Sequence, residues 1–164
     1  MVMLTGIIAL IIIIADQISK WWMIDILSSG KVTVIDDFFY LTLVYNRGAA
    51  FGIVPGRNYL FIILSILTIA VLIFFYRSFF SDSSMARISG GLILGGAVGN
   101  LIDRFRFNHV VDFLDFKFGS YHWPAFNVAD SAICVGVTIL IVIVLLPKKV
   151  NHEDHEGHEV NFKR

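Results

Sequence analysis

FNVADSAICVGVTILIVIVLL, residues 126–146, sets an aspartate at the mouth of an almost pure hydrocarbon run. From Ala132 onward the stretch suits lipid better than water, and eighteen or so such residues in a helix span about 27 Å, close to the thickness of a bilayer core. The run therefore reads as a membrane-crossing helix. Asp130 stands just ahead of it, with Asn127 three residues before and Ser131 directly after. Whether that carboxylate is helix punctuation or chemistry decides how the rest of the chain is read.

The remainder is equally apolar. Of the 164 residues 57% are hydrophobic and 16% charged, with a mean hydropathy of +0.77. A soluble domain carries roughly 45–50% apolar and about 25% charged residues, and a chain this short cannot hide the excess in a core. The expected fold is an integral membrane protein, mainly α, with four transmembrane helices at about residues 2–27, 59–76, 88–105 and 128–146. These form one membrane-embedded domain over residues 1–147, followed by a polar tail, 148–164, expected to be disordered. The first span has no basic residue before Lys20 and no small-residue cleavage site behind it, so it reads as retained rather than as a signal sequence. A net charge of zero gives no argument for nucleic acid, and the single Cys134 excludes a disulfide framework and is expected as a small packed side chain.

Charge also bears on orientation. Arg77, Arg87, Lys148, Lys149, Lys163 and Arg164 fall on one side of such a bundle, and Lys31, Arg47, Arg57, Arg104, Arg106 and Lys117 on the other. The first set is packed into fewer residues, which favours both termini in the cytoplasm. Trp21, Trp22, Tyr59, Tyr76 and Trp123 lie near predicted span ends, as interfacial aromatics should. Two segments on the opposite side, KVTVIDDFFYLTLVYNRGAAFGIVPG (31–56) and RFNHVVDFLDFKFGSYHWPAF (106–126), are rich in β-branched and aromatic residues. They read as strands that pair or lie side by side in a small extracytoplasmic sheet on the membrane surface, because unpaired strand edges are not tolerated at depth.

Polar residues inside such a chain need reasons, at roughly 2.5–3.5 kcal/mol each at a helix centre. Asp16 and Lys20 are four apart on one helix face, either a self-neutralising pair or part of a site. Gly91, Gly95 and Gly99 recur every fourth residue in SGGLILGGAVGNLIDRF (89–105), a pattern for close helix packing. Asn100, Asp103 and Arg104 crowd the last turn of that helix, as a polar floor under something or as a capped, snorkelling end. Asn127 as N-cap with Asp130 three residues on explains the position of Asp130 without chemistry. It does not explain Asp112, inside the strand-like VVDFLDF, where Asp112 and Asp115 would point to opposite faces. Should Asp112 meet Asp130, two carboxylates would share one proton, an arrangement able to hydrolyse an amide by general acid–base catalysis. Two other readings stay open on these residues: a small transporter using Asp16, Lys20, Asp103 and Arg104, and a scaffold using the glycine face. His152, His155 and His158 in the tail read as part of a solvated segment rather than as metal ligands, and no metal site or cofactor is expected.

DQISK (16–20), YNRGAAFG (45–52), GGAVGNLIDR (95–104), VVDF (110–113) and FNVADS (126–131) together resemble the lipoprotein signal peptidases, the signal peptidase II family, over nearly the whole chain apart from the tail. The resemblance implies an intramembrane aspartic endopeptidase of the bacterial cytoplasmic (inner) membrane, multi-pass, with both termini cytoplasmic. It implies a diacylglyceryl-modified prolipoprotein as substrate, cut on the N-terminal side of the lipidated cysteine, with membrane lipid as the other partner, and action as a monomer without cofactor. It assigns catalysis to Asp112 and Asp130 and so demotes Asp115. Asn46, Gly48 and Ala49 would shape the substrate-facing site. Asn100 and Arg104 match the polar end of the third span, Asn127 the residue beside the second acid, and Asp16 and Lys20 a supporting motif. The small residues of segment 45–56 are expected to let it open and close over the site.

Overall fold

A backbone in hydrocarbon must satisfy its own N–H and C=O groups, and long apolar runs do so as helices. The computed structural model describes residues 2–48, 58–80 and 83–145. Ala49, most of segment 45–56 and the tail 148–164, with the expectations attached to them, lie outside the described residues. Among these residues, α1 (Val2–Ile26), α4 (Ser84–Phe107) and α5 (Val128–Leu145) are long and apolar enough to cross a membrane. The predicted second span is α2 (Asn58–Phe74), a 17-residue apolar helix. It measures about 26 Å and is followed by the short helix α3 (Tyr76–Phe79).

Helix α4 is central. It buries eleven residues, five of them glycine, while α2 buries none and α1 and α5 expose most of their aliphatic side chains, as suits a protein whose solvent is lipid. The glycines are spaced to admit both neighbours. A Cβ on Gly91 would lie 2.9 Å from Thr5 O, and one on Gly95 2.8 Å from Ala9 O, so this stripe receives the backbone of α1. Gly96, one residue and about 100° further round the helix, abuts Ala129 and Ile133, while Gly136 of α5 returns the contact against Ser89 and Ile93. Cys134 is not packed as expected. Because α5 turns Ala129, Ala132 and Gly136 inward, Cys134 falls on an exposed face.

Helix α4 starts on Ser83, whose hydroxyl accepts from the Ala86 N–H at 3.0 Å. It stops at Asn108 in the left-handed conformation (φ 58°), whose N–H donates to Arg104 O. Asn108 therefore does the capping, which leaves Asn100 and Asp103 for other work. Both strand-like segments are strands. β1 (Val32–Ile35), β2 (Phe39–Asn46), β3 (Val110–Phe118) and β4 (Tyr121–His122) form an antiparallel sheet in that order. The sheet meets the end of the bundle where α1 and α4 finish and α5 begins. In the β2–β3 register Val44 faces Asp112 and Asn46 faces Val110. Phe126 exchanges backbone hydrogen bonds with Leu114, at 2.9 and 3.1 Å, which brings the chain entering α5 back alongside β3.

Over-packing a tight helix contact costs roughly 1–3 kcal/mol. Gly95→Val is expected to lower unfolding stability in detergent by about that amount. Gly6→Ala, whose Cβ meets nothing within 4 Å, should leave it unchanged or slightly raised; thermal unfolding of both variants checks this.

Candidate active site

The return of Phe126 to β3 makes Asn127 the hinge of the site. Its side-chain oxygen accepts the Asp130 N–H at 2.9 Å, so it is the N-cap of α5. Its amide nitrogen points back to β3, donating to Asp112 Oδ1 at 2.7 Å and also to Val111 O and Asn100 Oδ1, each at 3.2 Å. Asp130 does not fold back to complete a capping box. Its Oδ1 accepts from Asn100 Nδ2 of α4 at 2.7 Å. Asp112 Oδ2 accepts from Asn46 Nδ2 of β2 at 2.9 Å, and Asn46 Oδ1 is in turn held by the Gly48 N–H at 3.0 Å. Each acid is thus gripped by asparagines from other elements.

Asp112 is buried and Asp130 half-buried, and both line one cavity of about 440 Å³ together with Asn46, Gly48, Asn100, Arg104, Trp123 and Phe126. Burial first, and then the negative charge of Asp130, push the Asp112 carboxyl from 3.8 up to about 7, against the opposing pull of Asn46, Asn127 and the Lys20 cation. Asp115 takes no part. It faces the other way and pairs with His122 Nδ1 at 3.0 Å. Arg104 donates to Asn100 O at 3.3 Å and lies over the Phe61 ring of α2.

Asp16 and Lys20 form the expected pair, at 2.8 Å, but the pair is not closed on itself. Lys20 reaches Asp103 as well, also at 2.8 Å, and Asn100 Oδ1 at 3.0 Å. The polar end of the third span is therefore a floor beneath the two acids. Asp103, expected in that floor, is thus tied to the first-span pair, and Gln17, which no sequence pattern marked, joins Asp16 to Asp103 at 3.2 and 2.9 Å. The available signal was charge balance, since a lone Asp16–Lys20 pair leaves Asp103 buried in lipid without a cation. Among the described residues no group of His, Cys, Asp and Glu could hold a metal.

Two carboxylates held by asparagine amides line one cavity at the end of an apolar bundle, and the fold is shared with solved bacterial membrane enzymes. One bacterial membrane enzyme, determined by the in meso method at 2.3 Å, superimposes with a TM-score of 0.77 at 30% identity over 93% of each chain. A second, determined at 1.9 Å, gives 0.74 at 32% identity over 86% of this chain and 92% of that one. Residues 8–146 match the family model of signal peptidase (SPase) II. The lipoprotein signal peptidase of Halothermothrix orenii is 47% identical over 88% of this chain and 97% of that protein. That of Syntrophotalea carbinolica is also 47% identical, over 82% and 86%. The chain belongs to the signal peptidase II family, and is a membrane-embedded protease.

Asn127→Ala removes a helix cap worth about 1 kcal/mol and leaves buried acceptors unpaired at about 1–3 kcal/mol more. Stability in detergent is expected to fall by that sum, and Asn127→Ser, which restores the cap alone, should recover only the first part. Denaturant titration of the two variants separates the shares.

Proposed function

We propose that the chain is an intramembrane aspartic endopeptidase that removes signal peptides from diacylglyceryl-modified prolipoproteins, cutting on the N-terminal side of the lipidated cysteine. The observation that carries this reading is that Asp112 of β3 and Asp130 of α5 line one cavity, each held by its own asparagine donors. Membership of the signal peptidase II family and the lipoprotein signal peptidases among its relatives support the substrate class.

In this mechanism Asp112, raised by burial and by its negative neighbour, keeps the shared proton and offers it to the scissile carbonyl oxygen. Asp130 as carboxylate takes a proton from a water, whose oxygen attacks the carbonyl carbon. The tetrahedral intermediate collapses as the nitrogen leaves with the proton Asp130 gained and one of the two hydroxyls returns its proton to Asp112. The products are a new carboxyl end on the signal peptide and a free amine on the cysteine. Asn100 and Asn127 orient the two acids, Asn46 and Gly48 shape the side facing the substrate, and Arg104 supplies positive charge at the cavity wall. Ala49 adjoins this group in sequence. The substrate's acyl chains stay in lipid, adding about 0.8 kcal/mol per buried CH₂ to binding.

The same reading makes α2 the fourth crossing of a single domain over residues 1–147, with both termini and a polar tail in the cytoplasm and the sheet outside the inner membrane. Exposed Trp21, Trp22 and Trp123 at the sheet end support an interface there. Action as a monomer belongs to the same reading.

Asp112→Asn and Asp130→Asn are each expected to lower cleavage of a lipidated precursor by about 10²–10⁴-fold or more, with membrane insertion and abundance unchanged. A transporter or a glycine-face scaffold would tolerate both, and normal cleavage by either variant rejects the reading. The pH dependence follows from the raised group. Asp112 must be protonated to act, so kcat/KM should fall as pH rises through about 7, approaching about tenfold per unit beyond it. A pH–rate profile on the lipidated precursor checks the limb.

A further inference from the structure

Lys20 transfers no proton in this scheme and does not line the cavity, yet its ammonium makes three bonds to oxygens of the site. Its side chain is 4% exposed. Two of its bonds go to Asp16 Oδ2 and Asp103 Oδ2, both at 2.8 Å, and the third to Asn100 Oδ1 at 3.0 Å. Each of the two carboxylates has a second task. Asp16 Oδ1 accepts the backbone N–H of Ala129 at 3.0 Å, and Ala129 immediately precedes Asp130. Asp103 Oδ2 accepts the backbone N–H of Val111 at 3.1 Å, and Val111 immediately precedes Asp112. The third arm runs through Asn100, which donates to Asp130 and accepts from Asn127, the donor to Asp112.

We propose that Lys20 is the positioning residue of the cleavage reaction: through Asp16, Asp103 and Asn100 it yokes the residues on either side of the cavity and sets the separation of Asp112 from Asp130. The inference rests on the peptidase reading above and names a further residue for it. The two acids come from a strand and a helix that are packed on different parts of α4. Lys20, on α1, reaches both indirectly, through the Ala129 and Val111 backbone N–H groups held by Asp16 and Asp103 and through the Asn100 side chain. Its surroundings close the charge balance. Asp16 and Asp103 together exceed its single charge, and the difference is met by the positive end of α5 at Ala129 and by the Gln17 amide bridging both carboxylates. Among the described residues, Arg104 on α4 is a further cation near the acids.

A buried ion cluster could instead serve folding alone, and the two roles separate in kinetics. A misplacement of about 1 Å in a reacting group costs about 10² in rate. Lys20→Met, purified and assayed on a lipidated precursor, should lose kcat by about 100-fold per folded molecule, with KM within about twofold. Asp103→Asn, which can keep the oxygen shared by the Val111 N–H and Lys20 but removes the negative charge that pairs the ammonium, should lose kcat in the same way. The double variant should lose little more than either single one. Native kcat per folded molecule in Lys20→Met, or losses that multiply in the double variant, would overturn the yoke. Should Lys20→Met fail to fold, the kcat of Asp103→Asn decides by the same criterion. Asp112→Asn and Asp130→Asn run alongside. If they cleave normally, the acid assignment fails; if they are inactive while Lys20→Met is fully active, only the yoke does.

Discussion

An ammonium group has three N–H bonds and no lone pair, and where water is excluded every bond needs an oxygen. Lys20 meets that demand with Asp16, Asp103 and Asn100, and the consequence travels through the site. With its oxygen claimed by Lys20, Asn100 can turn only its nitrogen to Asp130. Asn127 has its oxygen committed to the first turn of α5 and turns its nitrogen to Asp112. Asn46 has its oxygen held by Gly48 and does the same from β2. Three amides with fixed polarity therefore present only donors to the two acids. These donors favour negative charge while burial resists it, and between the two pulls a single proton can be kept in a pair of carboxylates.

Such a network needs backbones close enough to reach. The glycine stripe of α4 provides this in a graded way along α1. Gly91 and Gly95 meet backbone carbonyls, whereas a Cβ on Gly99 would stand 2.7 Å from Asp16 Oδ2. The last glycine of the stripe thus clears room for a carboxylate, so helix packing and site assembly use the same residues. On the other face, Gly96 lets Ala129 approach α4, which sets the start of α5 within reach of Asn100. A polar cluster that would be costly in lipid becomes tolerable because every charge in it is paired by neighbours this near.

The helices were legible because hydrocarbon runs admit little else in a membrane, and the described ends of α1, α4 and α5 fall within a few residues of the predicted spans. The two strand segments were legible from their β-branched and aromatic content, and the pairing of β2 with β3 followed. Asp112 and Asp130 stood out since carboxylates are anomalous in so apolar a chain, but the period of two said only that Asp112 and Asp115 diverge, not which one turns inward. That was decided by the Leu114–Phe126 bridge, a contact with no local signature. The reach of Asp103 to the Val111 backbone and of Asp16 to the Ala129 backbone was hidden for a similar reason. Side-chain to backbone bonds across 113 residues, as for Asp16, depend on where helices dock and not on periodicity. The capping reading of Asn127 was correct and incomplete, since the same side chain serves the helix with its oxygen and the acid with its nitrogen.

The layers of the site reconcile two opposed requirements. Ion pairs hold geometry best when dry, while amide hydrolysis needs a water molecule. Asp16, Lys20 and Asp103 lie at 0–4% side-chain exposure beneath the acids, and the cavity above them opens between the sheet and the helix ends. Asp112 is buried on the dry side of that boundary, and Asp130 is half-buried at the cavity. A proton is kept most easily on the acid with less access to water, which is Asp112, and a water molecule can be met by the acid with more. On the proposed mechanism, the division of labour between two chemically identical side chains then needs no special residue. It follows from the depth at which a strand and a helix deliver them to one boundary.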